Sequence, residues 1–304
     1  MRQPFAIGPL TAGFAAASFA AVLVGAAVCA MSGVPAGLWA RNLAAWGLGA
    51  CAALAVARWA GERFGDAAAF AGPVGLAFTF LSPGLDGVHR WLVAGPLRFN
   101  AAMLLLPSLV VATAVLVRRR RWGWAPAFAA LAMLALQPDA SQASALALAM
   151  CVIAAGLQSR PWSERCALAV TALILAVLSW SRPDPLQPVP EVEGVIQLAV
   201  SHSPILAGLA VVFLIVFAVA PRLAAHGGGH TVVGGAGLAL MALLLGWIAA
   251  PIFGAFPVPL VGIGLSPILG AWIGVGLLAS LSRWGGLEDP RRPASGEGSP
   301  RVPA

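Results

Sequence analysis

AIGPLTAGFAAASFAAVLVGAAVCAM, residues 6–31, carries no charged side chain from end to end. In helical form at about 1.5 Å per residue, such a run crosses roughly 30 Å of hydrocarbon. It exceeds the roughly 7–15 apolar residues of a secretory leader. It therefore reads as a membrane span that the protein retains. The pattern recurs along the chain. Further apolar segments cover 37–59, 67–81, 101–117, 124–136, 140–157, 166–180, 195–220, 232–252 and 260–281. The expectation is an all-α integral membrane protein of about ten transmembrane helices, with its polytopic domain over 1–284. The Pro-, Gly-, Ser- and charge-rich stretch 285–304 is expected to be a disordered cytoplasmic tail.

Composition agrees. Hydrophobic residues make up 60% of the 304 and charged residues 10%, with a mean hydropathy of +0.89. A soluble domain needs about a quarter of its residues charged to cover its surface. Abundant Ala and Gly suit close helix packing in lipid. The net charge of +7 comes from arginine alone, since the sequence contains no lysine. These arginines gather at span ends, which speaks for topology signals and against a nucleic-acid partner.

Alternating ten spans from a cytoplasmic N-terminus places fourteen arginines inside: Arg2, Arg58, Arg63, Arg118 to Arg121, Arg160, Arg165, Arg222, Arg283, Arg291, Arg292 and Arg301. Arg90, Arg98 and Arg182 fall outside, and Arg41 lies near the outer start of the second span. That bias predicts both termini in the cytoplasm. Cys29, Cys51, Cys151 and Cys166 lie in or beside apolar runs and read as small packing residues. His226 and His230 bracket three glycines, which disfavour the helix a paired-histidine metal site would need. No metal or cofactor is expected, since neither a phosphate-binding glycine loop nor a nucleotide fingerprint is present.

Three polar stretches share the expected outer side. They are Gly84-Leu-Asp-Gly-Val-His-Arg-Trp-Leu92 with Gly95-Pro-Leu-Arg-Phe99, then Gln137-Pro-Asp139, then Arg182-Pro-Asp-Pro-Leu-Gln-Pro-Val-Pro-Glu-Val-Glu193. Together they set Asp86, Asp139, Asp184, Glu191 and Glu193 beside three arginines. The plain reading is wet loops with interfacial ion pairs, each contributing about 0–1 kcal/mol. The sharper one is an anion site, because guanidinium forks fit phosphate and Trp91 and Trp180 suit headgroup level.

The loop Gly87-Val-His-Arg-Trp-Leu92, followed by Gly95-Pro-Leu-Arg-Phe99, resembles the signature of the SEDS family, the FtsW/RodA/SpoVE-type proteins, in its form NGxRRW(I/L) and RFQPSE. Four further matches follow in order. Arg41-Asn42 stands at the family's Arg-Gln, Gln137-Pro-Asp139 at its (Q/E)PDxGT turn, and Pro190-Glu191 at the start of PExHTDF. Pro257-Val-Pro-Leu-Val-Gly-Ile-Gly-Leu-Ser266 stands at PLPFVSYGGS. The departures are Asn100-Ala-Ala-Met103 for QPSE, Ala140-Ser141 after the turn's aspartate, where no glycine follows, and Gly262-Ile-Gly-Leu265 for the SYGG core. The large outer loop is cut to about a dozen residues, and register from Pro190-Glu191 puts Val195 where the family has its catalytic aspartate.

The resemblance implies a ten-span fold in the bacterial inner membrane and a role in peptidoglycan synthesis, cell shape or division. It also implies lipid II, an undecaprenyl-linked disaccharide, as ligand, with no cofactor. A valine cannot act as a base, so any surviving glycosyl transfer needs Glu193 or Asp184 in that role. Arg90, Trp91, Arg98, Asp139, Glu191 and Arg41 are the substrate-binding candidates. A transpeptidase-type penicillin-binding protein is the expected partner, beside membrane lipid. Two other classes stay open. One is a transporter or translocase of a lipid-linked substrate, for which Asp139 beside a proline would mark the pathway. The other is a scaffold within a membrane complex.

Overall fold

The computed structural model describes residues 9–182, 184–224 and 231–281. Arg2, the His226 to His230 turn, and the tail with Trp284 and the last four arginines lie outside the described residues.

Eleven α-helices are seen among the described residues: α1 (Pro9–Met31), α2 (Ala36–Trp59), α3 (Glu62–Thr79), α4 (Ala101–Arg119), α5 (Ala125–Leu136), α6 (Ala140–Gly156), α7 (Trp162–Trp180), α8 (Val195–His202), α9 (Pro204–Ala224), α10 (Val232–Ala249) and α11 (Leu265–Leu281). Six are long and apolar enough to cross a membrane: α1, α2, α4, α7, α9 and α10, the last continuing through a 3-10 turn to Ile252. The protein is an all-α, multi-pass membrane protein.

α4 is the axis of the bundle. Its most apolar window is 83% buried, whereas that of α7 is 17% buried. α3, α6, α10 and α11 all pack against α4. The outer helices turn large apolar side chains outward, among them Leu173, Ile174 and Val177 on α7 and Ile205 and Val212 on α9. In water this would be a liability; in hydrocarbon it is the surface the bilayer solvates. Between α11 and α4 the backbones nearly touch: a Cβ on Gly270 would fall 2.1 Å from the Met103 carbonyl oxygen. Such an approach admits only glycine. An aromatic group of Phe14, Trp46, Phe217 and Trp272 fills the space between α1, α2, α9 and α11.

Two segments depart from continuous spans. The run expected over 195–220 breaks at Ser203, whose extended backbone separates α8 from α9. Pro204 opens α9, where its missing N–H is not needed. The last segment, expected from 260, becomes helical only at Leu265, and the residues before it form a buried irregular strand of chain.

The loop after α3 also holds more structure than its polarity suggests. Strands β1 (Trp91–Ala94) and β2 (Leu97–Asn100) form an antiparallel hairpin around Gly95-Pro96, with Trp91 opposite Asn100 and Val93 opposite Arg98. It is the only sheet among the described residues. Alternation along the strands puts Trp91, Arg98 and Asn100 on one face. The hairpin, the α5–α6 turn, the 184–194 loop and the segment before α11 meet at one end of the bundle. The other end carries Arg119 paired with Glu62 at 3.0 Å and Arg160 paired with Glu164 at 3.0 Å. The four cysteines are free, with Cys29 buried and Cys51 exposed.

Candidate functional site

At the hairpin end lies a cavity of about 280 Å3, near the lower bound of small-molecule clefts, roughly 300–1,000 Å3. Arg90, Trp91 and Arg98 line it from the hairpin, Asp139 and Gln142 from α6 and its cap, Asp184 and Glu193 from the loop after α7. Gly262 to Pro267 close the remaining side.

Arg90 ties three of these segments together. Its Nη1 donates to Asp184 Oδ2 at 2.7 Å and its Nη2 to the Pro138 carbonyl at 2.6 Å, while Nε stands 3.6 Å from Asp139 Oδ2. The residue is only 7% exposed. Burial works against its charge, but the carboxylates of Asp139 and Asp184 outweigh this and hold its pKa above the ordinary arginine value. Arg90 is thus largely saturated by the protein and organises the site. Arg98 is exposed at the cavity and pairs with no carboxylate among the described residues.

Each residue of the Gln137-Pro-Asp139 turn has a separate task. Gln137 Nε2 donates to the Leu76 carbonyl at 3.1 Å and to Thr79 Oγ1, fixing the turn to the end of α3. Pro138 offers its carbonyl to Arg90. Asp139 caps α6, its Oδ1 accepting from Gln142 N at 3.4 Å and from Ser141 Oγ at 3.1 Å. Asp139 is 2% exposed and its charge faces Arg90. Arg182 donates to the Leu136 carbonyl at 2.5 Å, capping the end of α5.

The two candidate bases differ. Asp184 is fully engaged: Oδ2 takes Arg90 and Oδ1 accepts from Leu186 N at 3.2 Å. The Glu193 carboxylate accepts from two backbone N–H groups, that of Val189, to Oε2 at 2.8 Å, and its own. Burial raises the Glu193 pKa above the usual carboxylate value, against the lowering effect of those two hydrogen bonds, and Asp184 adds to the rise more than Arg90 removes. A carboxylate so placed binds a proton more readily than a free one. Val195 is fully buried in the first turn of α8 and does not line the cavity.

Glu191 contributes backbone: its carbonyl accepts from Ile263 N at 3.0 Å, and its side chain is not among the cavity walls. Arg41 is exposed on α2 and does not line the cavity. Its neighbour Asn42 has the larger structural part. Asn42 Nδ2 donates to the Gly262 carbonyl at 2.9 Å and the Leu260 carbonyl at 3.5 Å, and Oδ1 accepts from Gly264 N at 3.1 Å. One buried amide thereby holds the irregular 260–264 segment in place. Gly262 must be glycine there, since a Cβ would lie 2.5 Å from the Val192 carbonyl oxygen. Ser266 Oγ accepts from Asn100 N at 2.8 Å, and Asn100 caps α4 by accepting from Met103 N at 2.9 Å. Sequence reasoning singled out neither Asn42, Gln142 nor Ser266 as a site residue. Asn42 and Ser266 did fall inside motif matches, which was the available signal.

No protein-family model matches the chain, and no curated protein matches it. Solved structures do. The rod-shape-determining protein RodA of Thermus thermophilus superposes with a TM-score of 0.62 at 21% identity, over 89% of this chain and 96% of that one. An aspartate-to-alanine variant of the same RodA matches equally well. A chain from a peptidoglycan synthase complex that coordinates polymerization and crosslinking matches with a TM-score of 0.59 at 20% identity, over 89% and 97% of the two chains. The protein has the RodA-type, SEDS fold over nearly the whole bundle.

Proposed function

We propose that this is a SEDS-like cell-wall protein of the bacterial cytoplasmic membrane, and that its hairpin-end cavity binds lipid II. The observation that carries this reading is the cavity itself: an unpaired guanidinium, Arg98, and a proton-hungry carboxylate, Glu193, open into one cleft of a RodA-type bundle. The hairpin end is taken as outer, as the positive-inside count over ten spans requires.

In this reading Arg98 meets the pyrophosphate through charge-assisted hydrogen bonds. Arg90 is a positioning residue that holds hairpin, α6 cap and loop in register, and Trp91 packs against the ligand at the cavity rim. For glycosyl transfer, the acceptor hydroxyl would give its proton to Glu193 as its oxygen bonds to the anomeric carbon. The bond to the pyrophosphate would break and its electrons leave with undecaprenyl pyrophosphate. Asp184, bound to Arg90, is the wrong group for that step. The RodA-type fold also occurs in a complex that crosslinks, which supports a transpeptidase-type penicillin-binding protein as partner.

The test is purified protein with labelled lipid II. Saturable binding supports the reading and its absence contradicts it. Polymer that vanishes in Glu193→Ala and survives in Asp184→Asn identifies a transferase with a relocated base. Binding without polymer identifies a protein that recognises the precursor without turning it over.

A further inference from the structure

Three buried polar atoms at the cavity floor have no hydrogen-bond partner: Arg90 Nε, Asp139 Oδ2 and Gln142 Oε1. Gln142 is 1% exposed and Asp139 2%, and all three residues line the cavity. Such orphans are uncommon, because a buried polar group without a partner costs about 1–3 kcal/mol. Their chemistry is specific. Two are acceptors and one is a donor, with the donor 3.6 Å from one acceptor.

A phosphate oxygen only accepts, so at this floor it would face two acceptors and be repelled by the Asp139 carboxylate. A hydroxyl both donates and accepts, and an acetamide N–H donates. We infer that the floor formed by Gln142, Asp139 and Arg90 is a sugar subsite, which takes a hydroxyl or acetamide of the ligand's saccharide while the pyrophosphate stays at Arg98. Gln142 is the specificity-determining residue, because its Nε2 already donates weakly to Ser141 Oγ at 3.4 Å and its Oε1 is left for the ligand. The inference rests on the lipid II reading and adds the orientation of the headgroup. The saccharide goes in and the phosphates stay at the mouth.

The experiment compares lipid II with undecaprenyl pyrophosphate, which lacks the saccharide, on the full-length protein in detergent. Wild-type protein is expected to bind lipid II about tenfold more tightly, the worth of one to two hydrogen bonds. Gln142→Met and Gln142→Leu are expected to weaken lipid II about fivefold to tenfold while leaving undecaprenyl pyrophosphate within about twofold. The unchanged ligand doubles as the control for folding. Equal wild-type affinity for the two ligands overturns the inference, as does a variant that binds lipid II as wild type does. Wild-type protein that binds undecaprenyl pyrophosphate alone also overturns it, with the anion site at Arg98 intact. Wild-type protein that binds neither overturns the functional reading and this one with it.

Discussion

Arg90 joins its own segment to two others that are far apart in the chain, and removing it leaves Asp139 and Asp184 facing each other across a partly dry site. Arg90→Met is therefore expected to destabilise the protein by roughly 3–5 kcal/mol, the usual cost of stranding a buried charge. Thermal unfolding in detergent measures it. Glu193 gives a pH prediction. Its pKa is raised in the folded state, so it favours the protonated form. Its contribution to stability is fully present in acid and is lost as pH rises through that raised pKa. Activity runs the other way, since a base works only when deprotonated. Any turnover should rise with pH through an apparent pKa above that of a free glutamate, and Glu193→Gln should remove both the turnover and the titration. At this scale the sequence exposed the charged cluster, because arginines and carboxylates are rare in so apolar a chain. It hid Asn42, whose partners are backbone groups more than 200 residues away, and it hid the division of labour between Arg90, which is paired, and Arg98, which is not.

The elements most informative about function are the irregular ones. The 260–264 segment has no regular hydrogen-bond ladder, and beside a few backbone bonds such as Ile263 N to the Glu191 carbonyl it takes three hydrogen bonds from one side chain, Asn42. Asn42→Leu should leave two carbonyls and one N–H of that segment unsatisfied at a total cost of about 2–4 kcal/mol. Faster hydrogen exchange at Gly262 to Gly264, with the helices protected as before, would show the loss to be local. Gly270→Val places side-chain atoms into the Met103 carbonyl, and overpacking of this kind costs about 1–3 kcal/mol or displaces α11 from α4. Lower yield of folded protein and a lower melting temperature are the expected results. The long helices were legible from hydropathy because hydrocarbon thickness imposes a length. The start of α11 was not, because apolar residues run on from Leu260 and only tertiary hydrogen bonds keep that stretch out of the helix. The break at Ser203 did carry a local signal in Ser201-His202-Ser203-Pro204, since a residue before proline is pushed out of helical geometry. The hairpin escaped for another reason: four residues per strand are too few for alternation to stand out.

For the whole molecule, the arginine distribution and the bundle agree on two chemically different ends. Reporter fusions after α4, near Arg120, should report the cytoplasm, and fusions in the hairpin turn at Gly95 the outer side. The reverse pattern would invert the topology and put the cavity on the wrong face for an extracytoplasmic glycan. The fold was readable beyond span counting through short motifs in order, even though their surroundings have changed. What could not be read was whether the motif residues still converge, since a motif gives order along the chain and not distance across it. They do converge for the hairpin, the Gln137-Pro-Asp139 turn and the Pro257 to Ser266 segment, and not for Arg41.

The most direct measurement is the equilibrium affinity of labelled lipid II for wild-type protein and for Arg98→Ala. Loss of a charge-assisted contact to pyrophosphate should weaken binding about tenfold or more, with the thermal midpoint unchanged because Arg98 is exposed and unpaired. Equal affinity in the two proteins would contradict the assignment of this cavity as the lipid II site.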